Sequence, residues 1–424
     1  MLVIKCIEKY KDKNGIITHY KIQDNQGEVR VVTSKQLKTA IQNKQIECVN
    51  LALTSDNRLI DKKEEKKPLN PTIVFITKMM MLGKCDMAGK VVFKNAEYVI
   101  GDNRVRLIKC LIKEGEFVIE PFVTDIGIAS ESPFEDCVSL KIINKSQVKD
   151  ITAMFANCEK LIELDLSEFD TSKVEDMNGL FYSCSELRKL NISNFDTSKV
   201  KDMSFMFYFC KGLTEIDISS FDTSNVTSMK CMFFGCERLK KLDVSRFDTS
   251  SVREIYNMFQ KCESLVRLDL SNFDISQVKD ISCMFCGCWR IEEINLRNFD
   301  TSNVISMRRL FSDCRELRKI DLSSFNTSNV TSMAYMFDNC MSIEHIDVSK
   351  FNTSKVADMA YMFSLCKGLK ELDLSNFSTA NIRCNGVYKM FECCNTEKFK
   401  LPSDLQELLK KQVGNTPEWD IEKF

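Results

Sequence analysis

Glycine and proline are scarce in this 424-residue chain, at 14 and 6 residues, which argues against linkers and disordered tails over most of its length. Histidine occurs only as His19 and His345. No long apolar run is present: the longest, Ile73 to Leu82, is broken by Lys78 and has about half the length a membrane-spanning helix requires. Insertion into a membrane is not expected. Nor is there an excess of one charge, since 59 basic residues face 60 acidic ones for a net charge of −1. The basic patch or stripe that nucleic-acid binding needs is therefore missing. The opening segment Met1 to Lys9 has too short an apolar stretch for a signal-peptide core, and no small-residue cleavage site follows it. A cytoplasmic chain is expected on that ground.

Cysteine, in contrast, is plentiful at 20 residues, and such a number means disulfides, metal sites or buried thiols. Spacing decides among them. Cysteines stand at 158, 184, 210, 236, 262, 288, 314, 340 and 366, each 26 residues after the last with no insertion. A period of this size signals a solenoid or a propeller. Phenylalanine precedes each of these cysteines by three, and a second phenylalanine column runs from Phe169 and Phe195 to Phe377.

One unit, Met154 to Gly179, divides into halves with different hydrophobic periods. Leu161, Leu164 and Leu166 end in strict alternation with Glu163, Asp165 and Ser167, the pattern of a short strand with one buried face. The second half begins at Asp170-Thr171-Ser172, side chains that cap backbone amides. Val174, Met177, Leu180, Phe181 and Cys184 then recur at intervals of three and four, which predicts one apolar helical stripe. Each unit is expected to be a strand, a capped turn and a short helix. Only stacking can bury its apolar face, and stacked units pair strand to strand in one parallel sheet. A propeller blade needs more than one strand per repeat, and a single strand pattern is found.

The consensus LDLSxFDTSxVxxMxxMFxxC resembles the BspA-like leucine-rich-repeat family, in the branch long catalogued as a bacterial surface domain of unknown function. The likeness covers about Met154 to Cys394. Upstream, Phe117 to Gly127 followed by Phe134-Glu-Asp-Cys137 is similar to the other repeat form of that family, shortened to 21 residues between Cys137 and Cys158. The resemblance implies adhesion or protein recognition, at a cell surface. The expected fold is α/β: a leucine-rich-repeat solenoid with a parallel sheet on one face and short helices on the other, preceded by a small α+β module.

Residues 1–62 form that module: alternating apolar positions with turns at Lys13-Asn14-Gly15 and Asn25-Gln26-Gly27 predict a hairpin, Ser34 caps a helix carrying Leu37 and Ile41, and Val49, Leu51 and Leu53 make a further strand. A charged linker is expected over 63–72, an irregular, largely β region with a first degenerate repeat over 73–136, the solenoid over 137–394, and a helical cap over 395–424. In the cap, Ser403 to Gln406 has a capping-box pattern, with Leu405, Leu408 and Leu409 covering the open end.

The cysteine column lies on the apolar stripe, so small buried thiols packing between repeats are expected. Cys283, Cys286 and Cys288 form the one tight cluster; zinc wants four ligands and no fourth is supplied nearby. No metal and no cofactor is expected. Gly83 to Lys90 faintly resembles a phosphate loop, but its spacing is one residue too long and Val91 stands where a hydroxyl is needed. With two distant histidines no catalytic constellation assembles, and no enzyme is expected.

The exposed strand positions are the candidate partner-binding face. One column is acidic: Asp165, Asn191, Asp217, Asp243, Asp269, Asn295, Asp321, Asp347 and Asp373. Charges about 4.8 Å apart repel by roughly 1 kcal/mol even in water, so hydrogen bonding to the serines two residues on, or a basic partner, should offset them. Beside it a column varies from unit to unit: Glu163, Lys189, Glu215, Lys241, Arg267, Glu293, Lys319, His345 and Glu371. The other acidic set, Asp170 to Asp300 continuing as Asn326 and Asn352, reads as turn chemistry. The expected function is a non-enzymatic recognition or adhesion scaffold, monomeric, with a protein or glycan partner. The alternative is ligand binding or catalysis within 1–116, with the solenoid choosing the target.

Overall fold

The computed structural model describes residues 2–12, 17–23, 29–42, 46–48, 51–53, 59–61, 75, 78–79, 90–101, 104–126, 132–145, 148–394 and 398–413. The two expected hairpin turns, Val49, the linker at 63–72 and the loop at 83–89 lie outside the described residues. The chain divides into two compact units, Met1–Pro133 with Ile142–Val148, and Phe134–Lys141 with Lys149–Phe424.

In the first unit, β1 (Leu2–Lys11), β2 (Ile17–Gln23) and β3 (Val29–Thr33) pair antiparallel, and β4 (Ile46–Cys48) joins β1 in parallel after α1 (Ser34–Gln42). Helix α1 starts one residue earlier than its sequence suggests. Thr33 Oγ1 accepts the Gln36 N–H at 3.2 Å, and Gln36 Oε1 accepts the Thr33 N–H at 3.1 Å. That is a reciprocal capping box built on Thr33 rather than Ser34. Beyond it, β5 (Leu51–Leu53) pairs with β6 (Leu59–Asp61). Phe75, Lys78 and Met79 are helical, where strands are expected. Then β7 (Lys90–Phe93), β8 (Ala96–Gly101) and β9 (Arg104–Cys110) form a meander, followed by β10 (Glu114–Ile119) and β11 (Asp125–Ile126), the latter parallel to β9. The chain passes between the units through β12 (Ser139–Asn144).

The second unit is the leucine-rich-repeat solenoid that the period predicts. Strands occur where alternation places them: β13 (Glu163–Glu168) pairs in parallel with β14 (Lys189–Asn191), and β15 (Arg267–Asp269) with β16 (Glu293–Asn295). β17 (Glu371–Asp373) pairs with β18 (Lys398–Lys400), which leads into α2 (Ser403–Val413). Within α2, Leu405 and Leu409 are buried and Leu408 is half-buried. Gln406 donates to the Leu401 carbonyl at 3.0 Å, so its side chain does not close a capping box.

The opposite arc of each rung corrects the expectation of a helix. From Met177 to Cys184 the backbone is a chain of turns. Met177, Gly179, Phe181 and Ser183 donate to the carbonyls of Asp202, Ser204, Met206 and Tyr208 in the next rung at 2.9, 2.9, 2.9 and 2.6 Å. Leu180, Tyr182 and Cys184, between them, donate three residues back, to Met177, Gly179 and Phe181, at 3.2, 2.9 and 3.2 Å. Two residues per rung take left-handed backbone, such as Gly179 and Ser183, or Phe205 and Phe209, and either would break an α-helix. The physical reason is spacing. A helix is about 10 Å across, whereas successive rungs hold the rings of Phe155, Phe181, Phe207 and Phe233 at 5.6, 5.5 and 5.4 Å. Left-handed residues cost roughly 1–2 kcal/mol each, and four inter-rung bonds at about 1 kcal/mol each offset the pair.

Two further ladders clamp the rungs. Each repeat cysteine from Cys184 to Cys366 is buried and donates to the phenylalanine carbonyl 29 residues earlier, as Cys210 Sγ to Phe181 at 3.1 Å and Cys262 Sγ to Phe233 at 3.2 Å. The ladder cysteines from Cys184 to Cys366 are free thiols, in line with the packing expectation. The threonine after each acidic turn residue is buried and bonds both backbone groups of the next rung: Thr171 Oγ1 donates to the Asp196 carbonyl at 2.9 Å and accepts its N–H at 2.8 Å. Ile275 occupies that column once and supplies no hydroxyl. Asp170 and its equivalents accept the N–H two residues on, at 2.9 Å from Ser172 and at 3.1 Å for Asn326 and Ser328, which is the turn chemistry expected.

Candidate functional site

The eighteen candidate positions form two adjacent columns, two residues apart in each rung. Strand alternation turns Leu164, Leu268, Ile294 and Leu372 inward and leaves their neighbours outward. Glu163, Asp165 and Asn295 are half-buried, and the other fifteen are exposed.

The acidic column is spoken for locally. The backbone N–H of the serine two residues on donates to Asp165, Asp217, Asp243, Asp269, Asp321, Asp347 and Asp373 at 2.9–3.1 Å. Asn191 and Asn295 accept the equivalent N–H at 3.3 Å. Hydrogen bonds from that serine, side chain first and backbone second, hold Asp217, Asp243, Asp321 and Asp347 below the ordinary carboxylate range. For Asp373 the largest cause is the Lys400 ammonium, and its carboxyl falls to about 2. This column builds the strand-to-turn bend, and its charge is held by the protein's own amides.

The neighbouring column behaves differently at its ends and in its middle. At one end Lys189 pairs with Glu163 at 2.5 Å. At the other His345 lies 3.5 Å from Glu371, and Lys400 binds Asp373 at 2.8 Å. Glu215, Lys241, Arg267, Glu293 and Lys319, the five rungs between, make no ion pair among the described residues. Backbone pairing also lapses here: the rungs at 215–217, 241–243 and 319–321 have no strand assignment. Rings of the phenylalanine column beside the strands stand 6.1–6.5 Å apart at Phe247–Phe273, Phe299–Phe325 and Phe325–Phe351, wider than the 5.4–5.9 Å of the arc column from Phe207 to Phe259. The strand side is the more open side of the stack.

Where β16 faces the unpaired rung at Lys319, the surface sinks into an open concavity of about 500 Å³. Arg267, Asp269, Glu293, Asn295, Lys319 and Asp321 rim it over a floor of Leu268, Ile294, Leu296 and Ile320. Asn295 Nδ2 donates to Asp269 Oδ1 at 2.9 Å across two rungs. An apolar floor ringed by three cationic or amide groups and three carboxylates can take a segment carrying both charges. The variable column in the sequence marks these residues, but the concavity itself is a product of lapsed pairing and has no sequence signal.

Sequence reasoning passed over a second variable surface, on the arc. Tyr182, Tyr208 and Phe234 stack at 4.7 Å from rung to rung, and Tyr335 and Tyr361 at 4.6 Å. Arg309 lies over the Tyr335 ring at 4.1 Å. Reading the arc as a helix hid this surface, because helical phase scatters these positions around an axis. No helix of the described residues is long and apolar enough to cross a membrane, and no group of described histidines, cysteines and carboxylates could hold a metal ion.

Among solved structures, the chain is similar to a leucine-rich repeat protein of T. pallidum at 18% identity, over 54% of this chain and 91% of that one, with a TM-score of 0.33. It is similar to one from Bacteroides ovatus at 17% identity, over 74% and 88%, with a TM-score of 0.38. A leucine rich cell surface protein of Faecalibacterium prausnitzii matches at 14% identity over 77% and 98%, with a TM-score of 0.29. No curated protein matches the chain. The family described as Mycoplasma protein of unknown function, DUF285, matches residues 131–216, 209–294 and 282–403, stretches that run without a gap over more than half the chain. With its BspA-like repeats in place on every rung, the chain belongs to the DUF285 family.

Proposed function

We propose that the protein is a non-enzymatic recognition scaffold that binds a protein partner through the middle rungs of its strand face. The observation that supports it is the contrast along one column: charges at both ends pair within the solenoid, while Glu215, Lys241, Arg267, Glu293 and Lys319 are exposed without an ion pair among the described residues. Exposed charges on a rigid array steer and align a complementary surface. The apolar floor at Leu268 and Ile294 then supplies the buried patch around which hot spots gather. The mixed signs at the rim favour a polypeptide of mixed charge over a uniformly charged polymer. Solenoids of this kind host unrelated functions, so the reading rests on the site and not on the fold.

A photo-crosslinking side chain placed at Lys319 tests it in the native cell, with the same group at Lys201, on the flank, as control. Lys319 should capture a discrete protein adduct and Lys201 should not. Adducts to glycan alone, or equal capture at both positions, would overturn the reading. An outward location, implied by the family resemblance, belongs to the same proposal. Protease added to intact cells should remove the chain, and full protection would place it inside.

A further inference from the structure

Of the cysteines near the middle of the solenoid, Cys288 belongs to the buried ladder, its Sγ donating to the Phe259 carbonyl at 3.1 Å. Cys283 and Cys286 do not. They end a single turn, Cys283-Met284-Phe285-Cys286, closed by the Cys286 N–H on the Cys283 carbonyl at 3.1 Å. Met284 and Phe285 are fully buried and fix the turn to the core. Cys283, with left-handed backbone at φ 56°, is half-exposed, while Cys286 is 8% exposed. The ends of such a turn have Cα atoms less than about 7 Å apart, within reach of the roughly 4.4–6.8 Å a disulfide spans.

The next rung brings positive charge to this turn. Cys283 N–H donates to the Arg308 carbonyl at 2.9 Å, and Arg309 occupies the position one repeat after Cys283. Both guanidinium groups are held over the Tyr335 ring, at 5.1 Å and 4.1 Å. Interaction with the Cys286 thiol first, then the two arginines, lower the Cys283 thiol below its ordinary value, against burial and the Asp280 carboxylate, which raise it. The ladder thiols Cys184, Cys210, Cys236 and Cys262 are pushed up by burial. A partly exposed thiol next to arginines, one of them, Arg308, also 3.7 Å from Asp358, with a second thiol at the other end of the same turn, is an arrangement that can exchange disulfides.

We propose that Cys283 and Cys286 are a redox-active dithiol whose substrate is a low-molecular-weight disulfide. The Cys283 thiolate attacks one sulfur of the substrate; the substrate S–S bond breaks, and the departing thiolate takes up a proton. Cys286, losing its proton, then attacks the Cys283 sulfur and releases the second substrate thiol. The protein gains one S–S bond, and the substrate takes two electrons and two protons to become two thiols. The site is separate from the strand face and stands or falls independently of the function proposed above.

Full-length protein incubated with oxidised glutathione at neutral pH, then alkylated and peptide-mapped over time, tests the proposal. The Cys283–Cys286 disulfide should appear first, at least about tenfold faster than glutathione adds to the exposed Cys384 and Cys393. Cys286→Ser should accumulate a glutathionyl group on Cys283, and Arg309→Gln should slow its attachment roughly threefold, the net of more basic but less ionised thiol. If Cys384 or Cys393 reacts as fast as Cys283, or if no Cys283–Cys286 bond forms at any glutathione ratio, the proposal is wrong. The wild-type map decides this even where a variant fails to fold.

Discussion

Thr197 Oγ1 donates to the carbonyl of Asp222 at 2.8 Å and accepts the Asp222 N–H at 2.8 Å, so one buried hydroxyl satisfies both backbone groups of a residue on the next rung. The relation repeats down the solenoid from Thr171 to Thr353, and it explains why a polar residue sits in the core at each of those rungs but the one holding Ile275.

Replacing one of these threonines by its apolar isostere should therefore be costly. Thr223→Val leaves the N–H and carbonyl of Asp248, now bonded at 2.8 Å each, without their partner. Denaturant unfolding should show a loss of about 2–3 kcal/mol. Thr227→Val, at an exposed hydroxyl that donates to Lys201 at 3.1 Å, should stay within about 0.5 kcal/mol of wild type. Equal effects would show that the ladder is not what binds the rungs.

Two glycines with left-handed backbone should respond differently to alanine. At Gly235, φ is 73° and an added Cβ would meet the Phe209 ring at 2.4 Å, whereas at Gly179, φ is 60° and the nearest neighbour is 3.6 Å away. Gly235→Ala should cost about 2–4 kcal/mol from backbone strain plus overpacking. Gly179→Ala should cost about 1 kcal/mol, since Phe205 and Cys231 adopt the same conformation in its column. Thermal unfolding of the two variants checks the order.

Alkali should weaken the fold through the thiols. Burial raises the ladder thiols above their ordinary 9.0, Cys288 to about 12 and others further. The folded form thus keeps protons that the unfolded form sheds. The stability this carries is complete below pH 9 and is lost as pH rises toward the folded values, by about 1.4 kcal/mol per pH unit for each fully buried thiol. Denaturation midpoints measured at pH 7, 9 and 10 should fall between the last two. A midpoint constant to pH 10 would contradict the buried ladder.

Acid acts in the opposite sense on the exposed column. Serine hydrogen bonds lower Asp243 from 3.8, so its contribution is present above that value and fades as pH falls through the folded one. Asp243→Asn should keep the bend, because Asn191 and Asn295 already serve it, while Asp243→Ala should lose it at a cost of about 1 kcal/mol. Unfolding at pH 7 distinguishes the two.

The rungs, strands, buried thiols and acidic turns were legible because each rests on a local rule: alternation, burial of cysteine, or a side chain bonding two residues ahead. The arc was not. Val174, Met177, Leu180, Phe181 and Cys184 keep helical spacing because consecutive turns of three residues return side chains to the core at nearly the same interval. Gly179, Gly235, Gly287, Asn157, Asn257 and Asn339 were the available signal, since all have positive φ and glycine and asparagine tolerate it best. The candidate face was legible as a variable column. Its division into self-paired ends and an unpaired middle depends on which rungs lose strand pairing, and that is a property of stacking rather than of any one repeat.

Charge reversal on the strand face tests the recognition reading most directly, with the partner captured at Lys319 titrated onto the purified chain. Arg267→Glu with Lys319→Glu should weaken binding by at least about tenfold while leaving the unfolding midpoint unchanged. Glu175→Lys with Lys201→Glu, which reverses an exposed flank pair 2.8 Å apart, should bind as wild type does. If the strand-face variant binds undiminished, or the flank variant weakens equally, the middle rungs are not the recognition surface.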